Sequence, residues 1–152
     1  MPIQTNDAIR KYSSNTLILE NNGASITSTS VMAADDLTYD LSTTDHADAP
    51  NATFALRCQF SSAPANNTPV VLILQALDID GTNDEPDPDS GYQPRRSAVF
   101  LIKGVASSNL YVSADAYEIP RKGKAWLLNQ TNQTISSGWG LKMTAFTYGP
   151  KV

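Results

Sequence analysis

Apolar and polar residues alternate with period two along much of this chain, and that alternation predicts strands. Residues 53–60 (TFALRCQF) put Phe54, Leu56, Cys58 and Phe60 on one face and Thr53, Ala55, Arg57 and Gln59 on the other, as a half-buried strand does. Residues 110–119 alternate in the same way, with Leu110, Val112, Ala114 and Ala116 set against Tyr111, Ser113, Asp115 and Tyr117. Residues 139–148 do so again, with Trp139, Leu141, Met143 and Ala145 inward and Phe146 and Tyr148 opposite. Residues 70–79 (VVLILQALDI) form a nearly continuous apolar run, the pattern of a central strand covered on both faces. Shorter strands are expected at 16–20, 37–41, 97–105 and 125–129, with a weak edge strand at 24–30.

Turn residues punctuate these runs. They occur at Asn21-Asn22-Gly23, at 61–69 with two prolines, at 107–109, at 120–123 and at 130–138. The spacing suits an all-β fold of eight or nine strands in a two-sheet β-sandwich, with a jelly roll favoured over an immunoglobulin-like arrangement. Residues 1–23 read as an extended N-terminal arm, with room at 6–12 for one or two helical turns capped by Asn6. Residues 24–152 read as a single β-sandwich domain. Residues 80–96 (DGTNDEPDPDSGYQPRR) make a long acidic loop, and its prolines suggest a projecting, extended segment. Loops of that length in compact domains are usually functional or disordered.

Composition narrows the classes further. The chain has 152 residues, 41% hydrophobic and only 17% charged, which argues against a coiled coil or a charged disordered chain. The opening residues lack the apolar centre of a signal peptide, and no run is long enough to span a bilayer as a helix. One cysteine and one histidine rule out an internal disulfide and any multi-cysteine or histidine-rich metal cluster. The net charge of −4 is unevenly placed: residues 1–94 carry 13 of the 15 acids, while residues 95–152 carry eight of the 11 basic residues. An assembling protein could use such asymmetry as complementary patches. Nucleic acid is not an expected partner, because the basic residues are few and dispersed.

Candidate chemistry is sparse. Six carboxylates crowd into Asp78, Asp80, Asp84, Glu85, Asp87 and Asp89, but the spacing completes no calcium loop. His46 lies beside Asp45 and Asp48 without a serine in a nucleophile frame. Cys58 falls on an inward face, where a thiol is a small hydrophobe. Trp126, Trp139, Tyr92, Tyr111, Tyr117 and Tyr148 are candidates for a sugar-stacking platform, a role that competes with simple core filling. Four Asn-x-Ser/Thr frames occur, at Asn51, Asn66, Asn129 and Asn132. No phosphate loop, zinc-protease helix or dinucleotide fingerprint is present, so the chain is not expected to be an enzyme, and no catalytic residue, metal ligand or cofactor is assigned.

The opening Pro2-Ile3-Gln4-Thr5-Asn6-Asp7-Ala8-Ile9-Arg10-Lys11-Tyr12, the segment Asp78-Ile79-Asp80-Gly81-Thr82-Asn83-Asp84, and the stretch Gln133-Thr134-Ile135-Ser136-Ser137-Gly138-Trp139 through Tyr148-Gly149-Pro150 resemble small structural proteins of tailed bacteriophages. The closest resemblance is to jelly-roll head decoration or cement proteins. It implies a non-enzymatic virion protein, assembled in the bacterial host cytoplasm and sited on the capsid exterior, with the major capsid protein as partner. It also implies self-association as a dimer or trimer, and no membrane partner. The contact candidates are Ile3, Asn6, Ile9, Arg10 and Tyr12 in the arm, and Asp84, Glu85, Asp87 and Asp89 in the loop. Arg95, Arg96, Arg121, Lys122 and Lys124 are candidates for the reciprocal basic side. The alternatives are a tail, neck or fibre-associated protein, or a carbohydrate-binding β-sandwich displayed on the particle.

Overall fold

A computed structural model describes residues 8–34, 38–43, 50–89, 91–94 and 97–150. Among them the chain forms nine strands and one short 3-10 turn. The strands are β1 (Ala8–Gly23), β2 (Val31–Ala33), β3 (Tyr39–Asp40), β4 (Asn51–Cys58), β5 (Thr68–Ala76), β6 (Ser97–Ile102), β7 (Leu110–Ala116), β8 (Lys122–Asn129) and β9 (Trp139–Pro150), and the 3-10 turn is Leu41–Thr43. One sheet has the order β1-β9-β4-β7; the other has β2-β8-β5-β6, with β3 also on β8. Every pairing is antiparallel. The two sheets pack face to face as a two-sheet β-sandwich.

The period-two strands place their apolar sets as the alternation requires. Phe54, Leu56 and Cys58 of β4 and Trp139, Leu141 and Met143 of β9 meet Leu72, Leu74, Phe100 and Leu127 from the other sheet in one core. In β5, the consecutive residues Leu72 to Ala76 are all buried, as expected of the continuous apolar run. Burial pushes the Cys58 thiol up to about 12, because a thiolate loses its hydration in that core. At neutral pH it is a packed thiol and not a nucleophile.

Several local expectations are corrected. Residues 8–12 are strand and not helix: they pair with β9 from Ala8↔Pro150 to Tyr12↔Phe146. The ladder between neighbouring strands outweighs the weak helical signal of a short segment. Most of the span expected as an arm is therefore the edge strand of the four-stranded sheet. Asn21-Asn22-Gly23 ends β1 instead of turning, and 24–30 contributes only a bridge, Ile26↔Ile135. β8 begins at Lys122, inside the expected basic turn. β2 carries no alternation long enough to be seen in the sequence.

Gly23 marks a close approach. The Trp139 indole donates from Nε1 to the Ala24 carbonyl at 2.7 Å, and its ring lies where a side chain at 23 would begin. A Cβ there would sit 2.1 Å from Trp139 Cε2. Gly23→Ala is therefore expected to destabilise the protein by about 1–3 kcal/mol, the range for forcing atoms into a packed core. Chemical denaturation measures it; an unchanged midpoint would contradict this packing.

Candidate functional site

The outer face of the four-stranded sheet is a ladder of cross-strand rows. Arg10 stands beside Tyr148, and Tyr12 beside Phe146. Thr16 pairs with Thr144, Thr144 with Thr53, and Thr53 with Asp115. Ile18, Lys142, Ala55 and Ser113 form the next row, and Gly140, Arg57 and Tyr111 the last.

At one end, Arg10 lies across the sheet. Its guanidinium carbon is 4.1 Å from the Phe146 ring centroid, a cation–π contact. Nη1 donates to Asp115 Oδ2 at 2.9 Å and to the Tyr12 hydroxyl at 3.0 Å, and Nη2 donates to Tyr148 at 3.2 Å. Three strand spacings separate β1 from β7, roughly 14 Å, and an extended Arg10 meeting Asp115 spans that distance. Asp115 is held from its other side by the Thr53 hydroxyl at 2.6 Å. The Tyr12 and Tyr148 hydroxyls, and then Asp115, hold the guanidinium charged far above its ordinary range. Phe146 lies on the outer face yet is fully buried, because Arg10, Tyr12, Tyr117 and Tyr148 cover it.

At the other end a groove of about 460 Å³ is lined by Glu20, Ala55, Arg57, Tyr111, Ser113 and Lys142, among others. Gly140 leaves the lane in which Arg57 lies flat; a Cβ there would come within 3.3 Å of Nη2. Arg57 Nη2 donates to the carbonyls of Asn21 and Gly138 at 3.0 and 3.1 Å. Glu20 turns its carboxylate to the backbone N–H groups of Asn21 and Asn22.

The outer face of the five-stranded sheet is different in kind. Val71 pairs with Val99 and Leu128, Leu128 with Val31, Ile73 with Trp126, Trp126 with Ala33, and Pro69 with Leu101. Their alternate neighbours Val70, Leu72, Phe100 and Leu127 fill the core, so this sheet is apolar on both faces. On that outer side Ile73 and Leu128 are nonetheless buried, while Val99 and Leu101 remain 47% and 58% exposed. Only at its end does the face turn polar, where Trp126 Nε1 donates to Gln75 Oε1 at 2.9 Å and Lys124 lies 4.8 Å from the indole centroid.

The acidic loop does not project freely over its described length. β6 pairs with β5 only as far as Ile73, and the loop takes up the vacated edge. Glu85 N–H donates to the Ala76 carbonyl at 3.0 Å, Ala76 N–H donates to Glu85 Oε2 at 2.8 Å, and Gln75 Nε2 donates to the Glu85 carbonyl and to Asp87 Oδ1. Asp84 accepts from Asp78 N–H, and Asp89 accepts from the N–H groups of Gly91 and Tyr92. Asp78 pairs with Lys122. These carboxylates thus order their own loop by side-chain-to-backbone bonds.

The contact candidates are therefore distributed. Ile9, Arg10 and Tyr12 belong to β1, with Arg10 committed to its cage. Arg121 is exposed, and Lys122 and Lys124 open β8. Ile3, Asn6, Arg95, Arg96 and His46 lie outside the described residues. The six aromatics considered for a sugar platform do not assemble into one: Trp139 is in the core, Trp126 is on the opposite sheet, and Tyr92 is in the loop. Buried Asn129 binds the Ile26 and Gln133 carbonyls, so that frame is a structural staple. The groove formed by Arg57, Tyr111 and Lys142 was not visible as a unit in the sequence, although alternation puts Arg57 and Tyr111 on outward faces.

Asp80 offers a direct check of the loop's order. The Asn83 side chain donates to Oδ2, and the backbone N–H groups of Asn83 and Thr82 donate to Oδ1, which pushes its carboxyl down to about 2. The stabilisation is present above the ordinary carboxylate range and is lost as pH falls from about 4 toward 2. NMR titration is expected to show this midpoint near 2, and Asn83→Ala is expected to move it back toward 3.8; a wild-type midpoint already at the ordinary value would contradict the loop geometry. In comparisons with known proteins, no family model, curated protein or solved structure matches this chain.

Proposed function

We propose that this protein is a non-enzymatic structural protein of a phage virion, a decoration or cement protein that binds the outside of the head and staples major capsid subunits together. The observation that carries this reading is the apolar outer face of the five-stranded sheet. An antiparallel sheet at a protein surface ordinarily alternates apolar inward and polar outward. Here Val31 and Val71 are half-buried and Val99 and Leu101 exposed on neighbouring strands, around Ile73 and Leu128, which are buried on this side, and an exposed apolar patch of this kind marks an interaction surface. The occupant we assign to it is the capsid shell. The resemblance of the segments 2–12, 78–84 and 133–150 to head decoration proteins supports that partner.

The strand orders suit a jelly roll, which we take as the finer description of the sandwich. Counting β2 and β3 as one interrupted strand leaves eight, four in each sheet. Strands adjacent in sequence then form pairs that cross from sheet to sheet: β1 with β2, β4 with β5, β6 with β7, and β8 with β9. Such a rigid plate with two broad faces is suited to lying on a lattice. Repetition over symmetry-related sites makes the summed attachment strong even when each contact is modest. A dimer or trimer on a local symmetry axis is the expected arrangement.

The test is binding of purified protein to heads of the cognate phage assembled without it. Saturable binding is expected, and Val99→Glu with Leu101→Glu is expected to weaken it about tenfold or more while the melting temperature stays within a few degrees of wild type. Heads that bind the double variant as well as the wild type would remove this face from the account.

A further inference from the structure

The groove on the opposite sheet has no part in that docking role, and its chemistry is distinct. We propose that the groove lined by Arg57, Tyr111, Ser113 and Lys142 binds an acidic oligosaccharide, one whose sugar rings carry carboxylates.

Four observations converge on this ligand. First, the groove carries two cations, Arg57 and Lys142, against one acid, Glu20. Arg57 spends Nη2 on two neutral carbonyls, Asn21 and Gly138, and Lys142 is exposed with no ion pair among the described residues. The nearby Glu20 is only 3% exposed and accepts from two backbone N–H groups. An anion entering the groove therefore meets net positive charge, although the chain as a whole is −4. A planar guanidinium fixed by carbonyls is a pre-set fork for a carboxylate.

Second, Tyr111 is 75% exposed and stands on β7 beside Arg57. Its exposed aromatic face is a surface for the C–H face of a sugar, and tyrosine has few side-chain rotamers to lose on binding. Third, the floor is kept low by Ala55 and Gly140, with the Ser113 hydroxyl beside them. The volume of about 460 Å³ lies in the range of small-ligand clefts.

Fourth, the position disfavours an extended peptide. Peptides add to sheets at an edge, where the backbone has free groups. This groove lies over β4, which is paired on both sides by β7 and β9. Recognition here falls to side chains, as it does for sugars. Charge complementarity selects the acidic class, and the exposed aromatic selects a ring-bearing ligand over a simple anion.

The test uses the isolated full chain, so it is independent of any attachment to a particle. Calorimetric titration with tetragalacturonate, a glucuronate tetramer and sialyllactose is compared with maltotetraose and with a tetraglutamate peptide. At least one acidic sugar is expected to bind saturably, while maltotetraose does not. Lys142→Ala and Tyr111→Ala are each expected to weaken that binding about tenfold, and Lys103→Ala, on a different surface, leaves it unchanged. Circular dichroism melts that match the wild type confirm that both variants are folded. No saturable binding to any of the three acidic sugars overturns the proposal. Loss with Lys142→Ala but not with Tyr111→Ala reduces the site to a simple ion contact and also overturns it. Tetraglutamate binding as tightly, with the same variant sensitivity, assigns the groove to acidic peptide instead.

Discussion

β9 lies between β1 and β4, and its inward residues Trp139, Leu141, Met143 and Ala145 are all buried in the shared core. Because side chains alternate across a strand, that burial leaves no freedom in register: a slip of one residue would turn all four outward. The same register fixes what lies on the outside. With Leu141 and Met143 in, Lys142, Thr144, Phe146 and Tyr148 are out, opposite Ile18, Thr16, Tyr12 and Arg10 of β1. The Arg10 cage and the Lys142 groove are both consequences of one hydrophobic constraint. Trp139 anchors the far end of it, closing over Gly23 and bonding to the Ala24 carbonyl.

The two sheets then differ in what they offer the surroundings. The four-stranded sheet carries threonines, tyrosines and three long cationic side chains outward, with polar groups largely satisfied among themselves. The five-stranded sheet exposes Val99 and Leu101, with Ile73 and Leu128 buried on the same side. A plate with one apolar broad face and one polar, aromatic broad face has two distinct sides. In the account developed above, the apolar side meets the shell and the polar side looks outward. The acidic loop stiffens the end of β5 where β6 stops, which uses its carboxylates structurally and leaves less of the loop available as a projecting contact.

Much of the architecture was legible wherever alternation was strong. In residues 53–58, 110–116 and 139–145 the inward and outward sets follow from period two alone, and the continuous run 70–76 announced a strand buried on both faces. The features that were not legible depend on pairing across long sequence distance. Residues 8–12 become strand because β9 is there to pair with them, which no local signal announces. Phe146 is buried on an outward face because Arg10, 136 positions earlier, lies over it. The loop at 78–89 reads as solvated charge until its carboxylates are seen closing on Ala76, Gln75 and Gly91. The groove unites Arg57, Tyr111 and Lys142 from three strands, and each is unremarkable alone. Alternation puts all three on outward faces, which is a partial signal; that their strands are neighbours is not readable from it.

The measurement that tests the central claim most directly is the copy number of this protein in purified particles, by quantitative mass spectrometry against the major capsid protein. Decoration of the whole shell predicts a simple ratio, about one, one-half or one-third, according to the symmetry axis occupied. A ratio of a few per cent would place the protein at the tail or neck, and absence from the particle would contradict the structural role altogether.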